Sequence, residues 1–548
     1  MLYRYARLLP ALLLTTAVTA SAQSWQWARG AGATISVLPN ASATDPQGNT
    51  YVTGIFEGVA QFGPITLTTT SATSASYNDR DMFLAKYDPQ GTVLWAVRAG
   101  STGRNQGDSG EALDVDAQGN VLVVGIATAN ASFGTIQPAS PTPVPTGFAA
   151  RYNAAGVAQW AVRLAVGGGG TVFAATAASF DPAGRCRVVN GNGELLTLDG
   201  STGQVLSTLA TTNLVTSLNT VRRGTDASGN TLLAVVVYNS ANSATLGTIS
   251  LTNNGGVLAK VSSTGAVLWA RQLTTGSFKN ATSDASGIVY AVIEVFSTAT
   301  SLDGIALAAN SISIAKLSAS GQLLWARNVR PWGSIRDILV DGTGNYYLTG
   351  VYDRSTGPVP AGGPALPNAN YDGFVAKFND AGQPQWALTL GSGTSNSGFD
   401  QSTSLSRDAA GILYVTGFFA RPSAAFGTAI TLAATGTSTT PFDTFIARIN
   451  GAGLAPLVTH GPRAVPAALL WPNPAVAGGE VQVALPAGEQ ATWQVTLTDA
   501  LGRTVSLTQT LPTGPGPVRL ALGNVTPGLY LLTCRNGQQQ RQARVVVQ

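Results

Sequence analysis

Histidine and cysteine are nearly absent from this chain of 548 residues, which contains one histidine, His460, and two cysteines, Cys186 and Cys534. Because His460 falls in a predicted linker, the sequence excludes a Ser-His-Asp or Cys-His catalytic centre and a multi-histidine metal site. The cysteines fall in different predicted domains, so we expect two free thiols and no shared disulfide. Packing must therefore supply the stability, and we expect no cofactor.

Charge is also scarce. Charged residues make up 11% of the chain, the net charge is +4, and the longest basic run is the pair Arg222-Arg223. We therefore expect no nucleic acid partner. Glycine, by contrast, is abundant at 63 residues. This composition is typical of a β-rich extracellular protein with many tight turns.

No hydrophobic run is long enough to span a bilayer, so we expect no membrane span. The apolar stretch near the N-terminus runs from Leu8 to Ala20, follows two arginines, and ends in a small-x-small sequence. These features predict a signal peptide over residues 1–22, cleaved between Ala22 and Gln23.

One phrase recurs along the chain: "DPQGNTYVTG" at 45–54 returns as "DAQGNVLVVG" at 116–125 and as "DGTGNYYLTG" at 341–350. Its Asp-x-x-Gly turn occurs in seven copies, which begin at Asp45, Asp116, Asp181, Asp226, Asp284, Asp341 and Asp408. The Asp side chain can accept from the backbone two residues on, and the Gly can adopt the left-handed conformation, so each copy predicts a hairpin. A second phrase, such as "FLAKYD" at 83–88, then leads through another Gly turn to a strand such as "LWAVR" at 94–98.

Four antiparallel strands per copy, repeated seven times, predict the blades of a β-propeller. The last copy lacks its Trp-Ala-Arg strand, while "WQWAR" at 25–29 stands before the first copy without a partner. We therefore expect residues 25–29 to pair with residues 445–450 and to close the ring, which leaves no unpaired edge. The motif resembles the bacterial seven-bladed β-propeller repeat family, which implies this fold for residues 23–455.

Two residue types recur with the period of the repeat. A cation stands in the third strand of six copies, at Lys86, Arg151, Lys260, Lys316, Lys377 and Arg448. A tryptophan stands at Trp27, Trp95, Trp160, Trp269, Trp325 and Trp386. A cation ring facing an anionic ligand and carbohydrate stacking are the functional interpretations. We favour a repeated salt-bridge or hydrogen-bond clamp and packing between copies, because ligand sites rarely recur with the period of a fold.

Carboxylate chemistry stays open, because glycosidase-type catalysis needs only two acids at a suitable separation. In the predicted topology the long loops lie on one face, and its candidate binding residues are Arg104, Asp108, Glu111, Asp353 and Asp400. Scattered charges on a solvated surface also need no functional explanation. The sequence from Asp114 to Gly119 is similar to the start of a calcium loop, but Gly125 occupies the twelfth position, so we expect no metal.

The repeat pattern ends in a proline-bearing linker, residues 456–468, and a separate module follows at 469–548. Alternating apolar residues predict short strands in this module, which suggest an immunoglobulin-like β-sandwich. Its phrases "WPNPA", "TDALGRTV" and "PGLYLLTCRNG" resemble the type A C-terminal sorting domain of the type IX secretion system. That resemblance implies a diderm bacterium, passage through the periplasm, contact of residues 469–548 with the secretion machinery, and a secreted or cell-surface destination.

The sequence thus predicts an all-β exported protein that acts as a non-catalytic binding or adhesion module for an unidentified extracellular protein or glycan. The absence of histidine chemistry and of a recognisable acid pair favours this prediction over an enzyme. The alternative is a carbohydrate-active lyase or hydrolase that uses carboxylates on the long-loop face.

Overall fold

The computed structural model contains no helix among the residues that it describes, and its regular elements there are all β-strands. The described residues are 23–70, 80–102, 107–139, 145–164, 174–209, 211–212, 214–215, 226, 228–237, 244–251, 255–329, 333–352, 372–391, 400–427, 429–435, 442–450, 469–484, 493–499, 505, 509–511, 518–522, 525–536 and 539–548. Within these ranges no helix is long and apolar enough to cross a membrane. The contacts separate a body, Ala22–Gly453, from a C-terminal unit, Leu454–Gln548.

The strands of the body follow the repeats in chain order. The first is β1 (Trp25–Ala33). The first repeat holds β2 (Ser36–Thr44), β3 (Thr50–Glu57), β4 (Val59–Phe62), β5 (Ile65–Thr68), β6 (Arg80–Tyr87) and β7 (Val93–Gly100). The second holds β8 (Ser109–Val115), β9 (Val121–Ala127), β10 (Ser132–Phe133), β11 (Thr146–Tyr152) and β12 (Ala158–Arg163). The third holds β13 (Ala177–Phe180), β14 (Cys186–Val189), β15 (Leu195–Leu198) and β16 (Val205–Thr208).

The later repeats continue in the same way. The fourth holds β17 (Thr211–Thr212), β18 (Leu214–Val215), β19 (Thr231–Val237), β20 (Ala244–Leu246), β21 (Ile249–Leu251), β22 (Gly256–Val261) and β23 (Val267–Gln272). The fifth holds β24 (Ser277–Ser283), β25 (Val289–Val295), β26 (Thr300–Leu302), β27 (Ile305–Leu307), β28 (Ser311–Leu317) and β29 (Leu323–Asn328). The sixth holds β30 (Ser334–Val340), β31 (Tyr346–Tyr352), β32 (Asp372–Phe378) and β33 (Pro384–Gly391), and the seventh holds β34 (Gln401–Arg407), β35 (Leu413–Ala420), β36 (Ser423–Phe426), β37 (Ile430–Ala433) and β38 (Phe442–Ile449).

Each repeat contributes four main strands to one antiparallel sheet. The hydrogen-bonded orders are β2-β3-β6-β7, β8-β9-β11-β12, β13-β14-β15-β16, β18-β19-β22-β23, β24-β25-β28-β29, β30-β31-β32-β33 and β34-β35-β38-β1. The seventh repeat takes its fourth strand from the start of the chain, and the pairs run from Trp25 with Ile449 to Ala31 with Thr444. The pairing expected between residues 25–29 and 445–450 is therefore confirmed.

The turn between the first and second strands has the expected Asx geometry. Asp45 Oδ1 accepts from the backbone N–H groups of Gln47 at 3.1 Å and Asn49 at 2.8 Å, and Gly48 has φ +88°. The same two acceptor contacts recur at Asp116, Asp181, Asp226, Asp284 and Asp341. A short side chain thus replaces water at the turn and fixes the hairpin register.

The first strands of successive repeats lie against each other. β2 contacts β8, β8 contacts β13, β24 contacts β30, β30 contacts β34, and β34 contacts β2, while in the fourth repeat it is the second strand, β19, that contacts β24. The buried carboxylate of Asp337 joins three of them, because it accepts from Asn280 Nδ2 at 2.9 Å and from the Leu405 N–H at 2.8 Å. Asn40 Nδ2 likewise donates to the Gly110 carbonyl at 2.9 Å.

Hairpins inserted between the second and third strands cover the outer edge of the preceding sheet. The β4–β5 hairpin of the first repeat pairs with β1, β10 of the second pairs with β7, and β36–β37 of the seventh pairs with β33. Because an unpaired outer strand invites aggregation, these additions protect the sheets.

The C-terminal unit contains two sheets. Its strands are β39 (Leu469–Trp471), β40 (Glu480–Ala484), β41 (Trp493–Asp499), β42 (Gln509–Leu511), β43 (Val518–Ala521), β44 (Gly528–Asn536) and β45 (Gln539–Val547). The orders are β39-β40-β43 and β42-β41-β44-β45. Val481, Val495, Leu520, Leu532 and Val545 are fully buried in one core. The alternation predicts the interior face of β40, β41, β43 and β45, but in β44 it predicts Leu529, Leu531 and Thr533, whereas the structure buries Tyr530, Leu532 and Cys534.

Candidate functional site

A β-bulge occurs at the same place in the first strand of five repeats. The register shifts lie between Pro39 and Ala41, Gly110 and Ala112, Phe278 and Asn280, Ile335 and Asp337, and Ser402 and Ser404. The extra residues, here called the bulge residues, are Asn40, Glu111, Lys279, Arg336 and Thr403. They lie near the start of each first strand, at the end of the sheets that carries the long connections. A bulge re-aims a side chain, and bulges are common beside functional sites.

The glycine that ends the repeated phrase makes room for the bulge. A Cβ built on Gly125 would lie 1.9 Å from the Ser109 carbonyl oxygen, and one on Gly350 would lie 1.9 Å from that of Ser334. Gly54 and Gly417 meet equivalent carbonyls, those of Leu38 and Gln401, at 2.0 Å. In these four repeats the bulged backbone therefore comes too close for a side chain, whereas the bulge of the fifth repeat has Ile293 at this position.

The periodic cations are part of the structure. Lys86, Lys260, Lys316 and Lys377 are each less than a tenth exposed. Lys260 Nζ lies 2.7 Å from Asp226 Oδ2, the turn carboxylate of its own repeat, and Lys316 pairs with Asp380 in the sixth repeat. These contacts agree with the favoured clamp, because Lys260 and Lys316 meet an acceptor of their own or a neighbouring repeat.

The periodic tryptophans join neighbouring repeats. Nε1 of Trp95 donates to the Ala154 carbonyl at 3.0 Å, and Nε1 of Trp160 donates to the Gly200 carbonyl at 2.9 Å. The ring of Trp160 also lies against Gly203, where a Cβ would come within 2.6 Å of it. Trp27, Trp95 and Trp269 lie in the same way against Gly91, Gly156 and Gly321, so these indoles pack on the glycine turn of the next repeat, as expected for packing between copies.

A cavity of about 230 Å³ adjoins two of the bulge residues, between the strands of the fifth and sixth repeats. Its lining consists of Lys279, Val292, Glu294, Ile312, Ser334, Ile335 and Arg336. Lys279 Nζ pairs with Glu294 Oε2 at 2.8 Å. Burial lowers the pKa of the Arg336 guanidinium, while the charge of Glu294 opposes that change. Its buried Nε has no hydrogen-bond partner among the described residues.

The candidate rim residues are placed differently from one another. Asp108 is 2% exposed and accepts from the N–H groups of Ser101 at 2.8 Å and Thr128 at 2.6 Å. Asp400 is fully buried and accepts from the Ala420 N–H at 2.8 Å. Glu111 is half-buried at a bulge and accepts from the Ser109 hydroxyl. Arg104 and Asp353 lie outside the described residues, as do Ala22, His460 and the signal and linker segments; Gln23 is half-buried.

Asp372 is a buried acid beside Asp400. Burial and, less strongly, the charge of Asp400 raise the pKa of the Asp372 carboxyl to about 7. The equivalent acid of the first repeat, Asp81, has its pKa raised by burial and by Asp108. There the carboxylate accepts from the Thr70 N–H at 2.8 Å and pairs with Arg98 at 3.1 Å. Two buried acid pairs, Asp81 with Asp108 and Asp372 with Asp400, therefore lie at the long-connection end, each between neighbouring repeats.

The acids of the segment similar to a calcium loop point to different partners. Asp114 Oδ2 accepts from the Phe180 N–H at 2.8 Å, while Asp116 closes its own turn. Nowhere in the described ranges do three His, Cys, Asp or Glu side chains form a group that could hold a metal. The two cysteines are free and buried, and burial raises their pKa values, to about 12 for Cys186 and about 11 for Cys534.

Residues 469–548 match the family described as "Secretion system C-terminal sorting domain". The match confirms the expected type IX sorting domain. It indicates that the protein is secreted to the cell surface or the extracellular space. No curated protein matches the chain.

Several solved structures are similar to the chain at low identity. BamB from Moraxella catarrhalis is 13% identical with a TM-score of 0.32, and the match covers 70% of this chain and 95% of that one. The β-propeller domain of Cps50 (Swd1) from Myceliophteria thermophila is 8% identical with a TM-score of 0.40, and covers 72% and 96%. A protein of unknown function from Bacteroides caccae is 12% identical with a TM-score of 0.31, and covers 56% and 89%.

Proposed function

We propose that the chain is an extracellular binding module, in which a seven-bladed β-propeller over residues 23–455 presents a ligand-binding end and residues 469–548 direct type IX export. In this proposal β1 closes the ring with β38, residues 1–22 are removed after Ala22, and the C-terminal unit is a type A sorting domain with an immunoglobulin-like sandwich. The ligand is an extracellular protein or glycan.

The observation that carries the binding proposal is the contrast between two kinds of repeated position. The turn Asp, the third-strand cation and the fourth-strand Trp keep their chemistry from repeat to repeat, because each makes a structural contact. The bulge keeps its backbone geometry, yet its residue changes between amide, acid, cation and hydroxyl. At the half-buried bulge residues Glu111, Lys279 and Arg336, constant geometry with variable chemistry suits a surface that recognises a particular ligand.

A binding panel tests this proposal. The purified full-length chain is applied to arrays of extracellular proteins and glycans, beside a variant that carries Glu111→Ala and Lys279→Ala. The proposal expects at least one ligand whose binding the double variant weakens. A matched variant, Leu94→Ala and Leu268→Ala, changes side chains that are about half exposed on fourth strands, 49% and 52%, and should bind normally. Failure of the intact chain to bind any ligand would contradict the proposal.

The export proposal has its own test. Deletion of residues 466–548 removes the sorting domain and part of the predicted linker. We expect the truncated body to accumulate in the periplasm, with its extracellular level falling by about tenfold or more. The reason is that the proposal assigns transport across the outer membrane to residues 469–548 alone. Immunoblots of periplasmic and culture fractions measure the distribution. An unchanged extracellular level would show that the tail does not sort the protein.

A carbohydrate-active enzyme remains the second candidate. Asp372 supports it, because a carboxyl that holds its proton near neutral pH beside a second acid can act as a general acid. Asp372 and Asp400 are only 6% and 0% exposed, however, so the described residues give a substrate little access to either. Loss of glycan cleavage in Asp372→Asn with binding intact would favour the enzyme.

A further inference from the structure

The cavity between the fifth and sixth repeats carries an uncompensated positive charge. Of its three charged side chains, Lys279 and Glu294 pair with each other at 2.8 Å. No ion pair or side-chain hydrogen bond to Arg336 occurs within the described residues, and its Nε is buried. An unpaired, partly desolvated guanidinium is costly, and a bound anion would offset that cost.

The unpaired guanidinium also indicates the shape of the anion. Two N–H groups of an arginine form a planar fork that matches the two oxygens of a carboxylate. Because Arg336 lines the cavity and no described residue pairs with its guanidinium, a planar carboxylate in the cavity can accept two parallel hydrogen bonds from the two Nη groups. A spherical anion, or one that accepts a single hydrogen bond, would leave one donor of the fork without a partner.

The rest of the cavity suits hydroxyl groups and a ring. Glu294 keeps one carboxylate oxygen beyond its pair with Lys279, and Ser334 is exposed and carries a hydroxyl. Val292, Ile312 and Ile335 supply an apolar wall. The volume of about 230 Å³ lies below the roughly 300–1,000 Å³ of drug-sized sites, so it suits one sugar residue.

We propose that this cavity binds a uronic acid residue of an extracellular acidic glycan. Arg336 forms an ion pair with the carboxylate of the sugar, and Glu294 and Ser334 accept hydrogen bonds from its hydroxyl groups. The inference rests on the proposed binding function and names the ligand class at one place on the same end of the molecule. It also explains why the bulge residues here are Lys279 and Arg336, while Asn40 and Thr403 occupy the equivalent places elsewhere.

Calorimetric titration of the full-length chain with two probes tests the inference. Methyl β-D-glucuronide and methyl β-D-glucoside differ only in the carboxylate. We expect the glucuronide to bind about tenfold more tightly or better, because a charge-assisted pair is lost with the glucoside. Equal affinities would overturn the proposal even if no variant folded.

Variants assign the effect to Arg336. Arg336→Gln should weaken glucuronide binding by about tenfold. The affinity of Arg336→Lys should lie between those of the parent and Arg336→Gln, because lysine keeps the charge and lacks the planar fork. Arg519→Gln makes the same change at a side chain that is 74% exposed in the C-terminal unit, and should bind normally. Circular dichroism checks the fold of each variant. Unchanged binding by Arg336→Gln would place the ligand elsewhere.

Two further probes test whether the site prefers a uronate to other anions. Inorganic sulfate or N-acetylaspartate amide that competes as well as the glucuronide would overturn the assignment to a uronate, since the site would then bind any anion or an acidic peptide. The panel experiment distinguishes this failure from that of the binding function. A ligand that binds the intact chain and Arg336→Gln equally leaves the function standing and removes only this inference.

Discussion

The glycines of the repeated phrase serve two different purposes at the scale of single residues. Gly48 needs a positive φ of +88° to close its turn, and the Asp-x-x-Gly spacing was enough to predict this. Gly54 lets two backbone segments approach each other closely, because a Cβ there would lie 2.0 Å from the Leu38 carbonyl oxygen. That reason could not be read from the sequence, since a bulge depends on the register of the partner strand. The bulge residues were missed for the same cause, with Glu111 alone among the candidates.

A bulge glycine should therefore tolerate no side chain. Gly125→Ala would push a Cβ against the Ser109 carbonyl, and we expect a loss of about 1–3 kcal/mol in the free energy of unfolding. Urea titration measures the loss. Gly342→Ala is the matched control, because a Cβ there meets nothing within 4 Å. Equal stabilities of the two variants would mean that the bulge does not form.

The buried acid Asp372 predicts a pH dependence. Its pKa is raised from 3.8 to about 7, so its contribution is fully present below the unfolded pKa and is lost as the pH rises from about 4 to about 7. Asp372→Asn is neutral at every pH. We therefore expect its free energy of unfolding, relative to that of the parent, to rise by about 1–2 kcal/mol between pH 4 and pH 8. Thermal unfolding across that range measures the gain. A stability difference between Asp372→Asn and the parent that does not change with pH would contradict the prediction.

At the scale of elements, the main strands could be predicted because each carries its own phrase between two glycine turns. The inserted hairpins were not predicted, although Phe62-Gly63, Leu246-Gly247 and Phe426-Gly427 sit at equivalent turns between short apolar segments. The alternation of apolar and polar residues in these hairpins was too short to predict strands, because each strand has only three or four residues. Which sheet each hairpin would extend depends on neighbouring repeats and has no local signature.

The third repeat lacks the indole that Trp27, Trp95, Trp160 and Trp269 place on the glycine turn of the next repeat. Ser207 pairs with Thr197 where the second repeat pairs Trp160 with Arg151, and Gly265 of the fourth repeat meets nothing within 4 Å. Ser207→Trp should cover this glycine and stabilise the body by about 1 kcal/mol. Urea unfolding with Ser207→Ala as the control measures the gain. No gain over that control would show that the indole does not join these repeats.

At the scale of the whole molecule, counting strands was sufficient to predict that the start of the chain joins its seventh repeat. One strand was spare before Asp45 and one was missing after Asn450, and β1 does pair with β38. The ligand could not be predicted in this way, because the bulge residues come from distant segments that only the fold brings to one end. Export could be predicted, because its phrases are contiguous in the tail.

The central claim is a ring of sheets held shut by β1, and peptide-resolved hydrogen–deuterium exchange of the full-length chain tests it most directly. The account predicts that the amides of Trp25–Ala33 exchange as slowly as those of Leu413–Ala420, a strand of the same sheet, because both are hydrogen-bonded in one cooperative unit. Exchange of Trp25–Ala33 at the rate of a free peptide, with Leu413–Ala420 still protected, would contradict it.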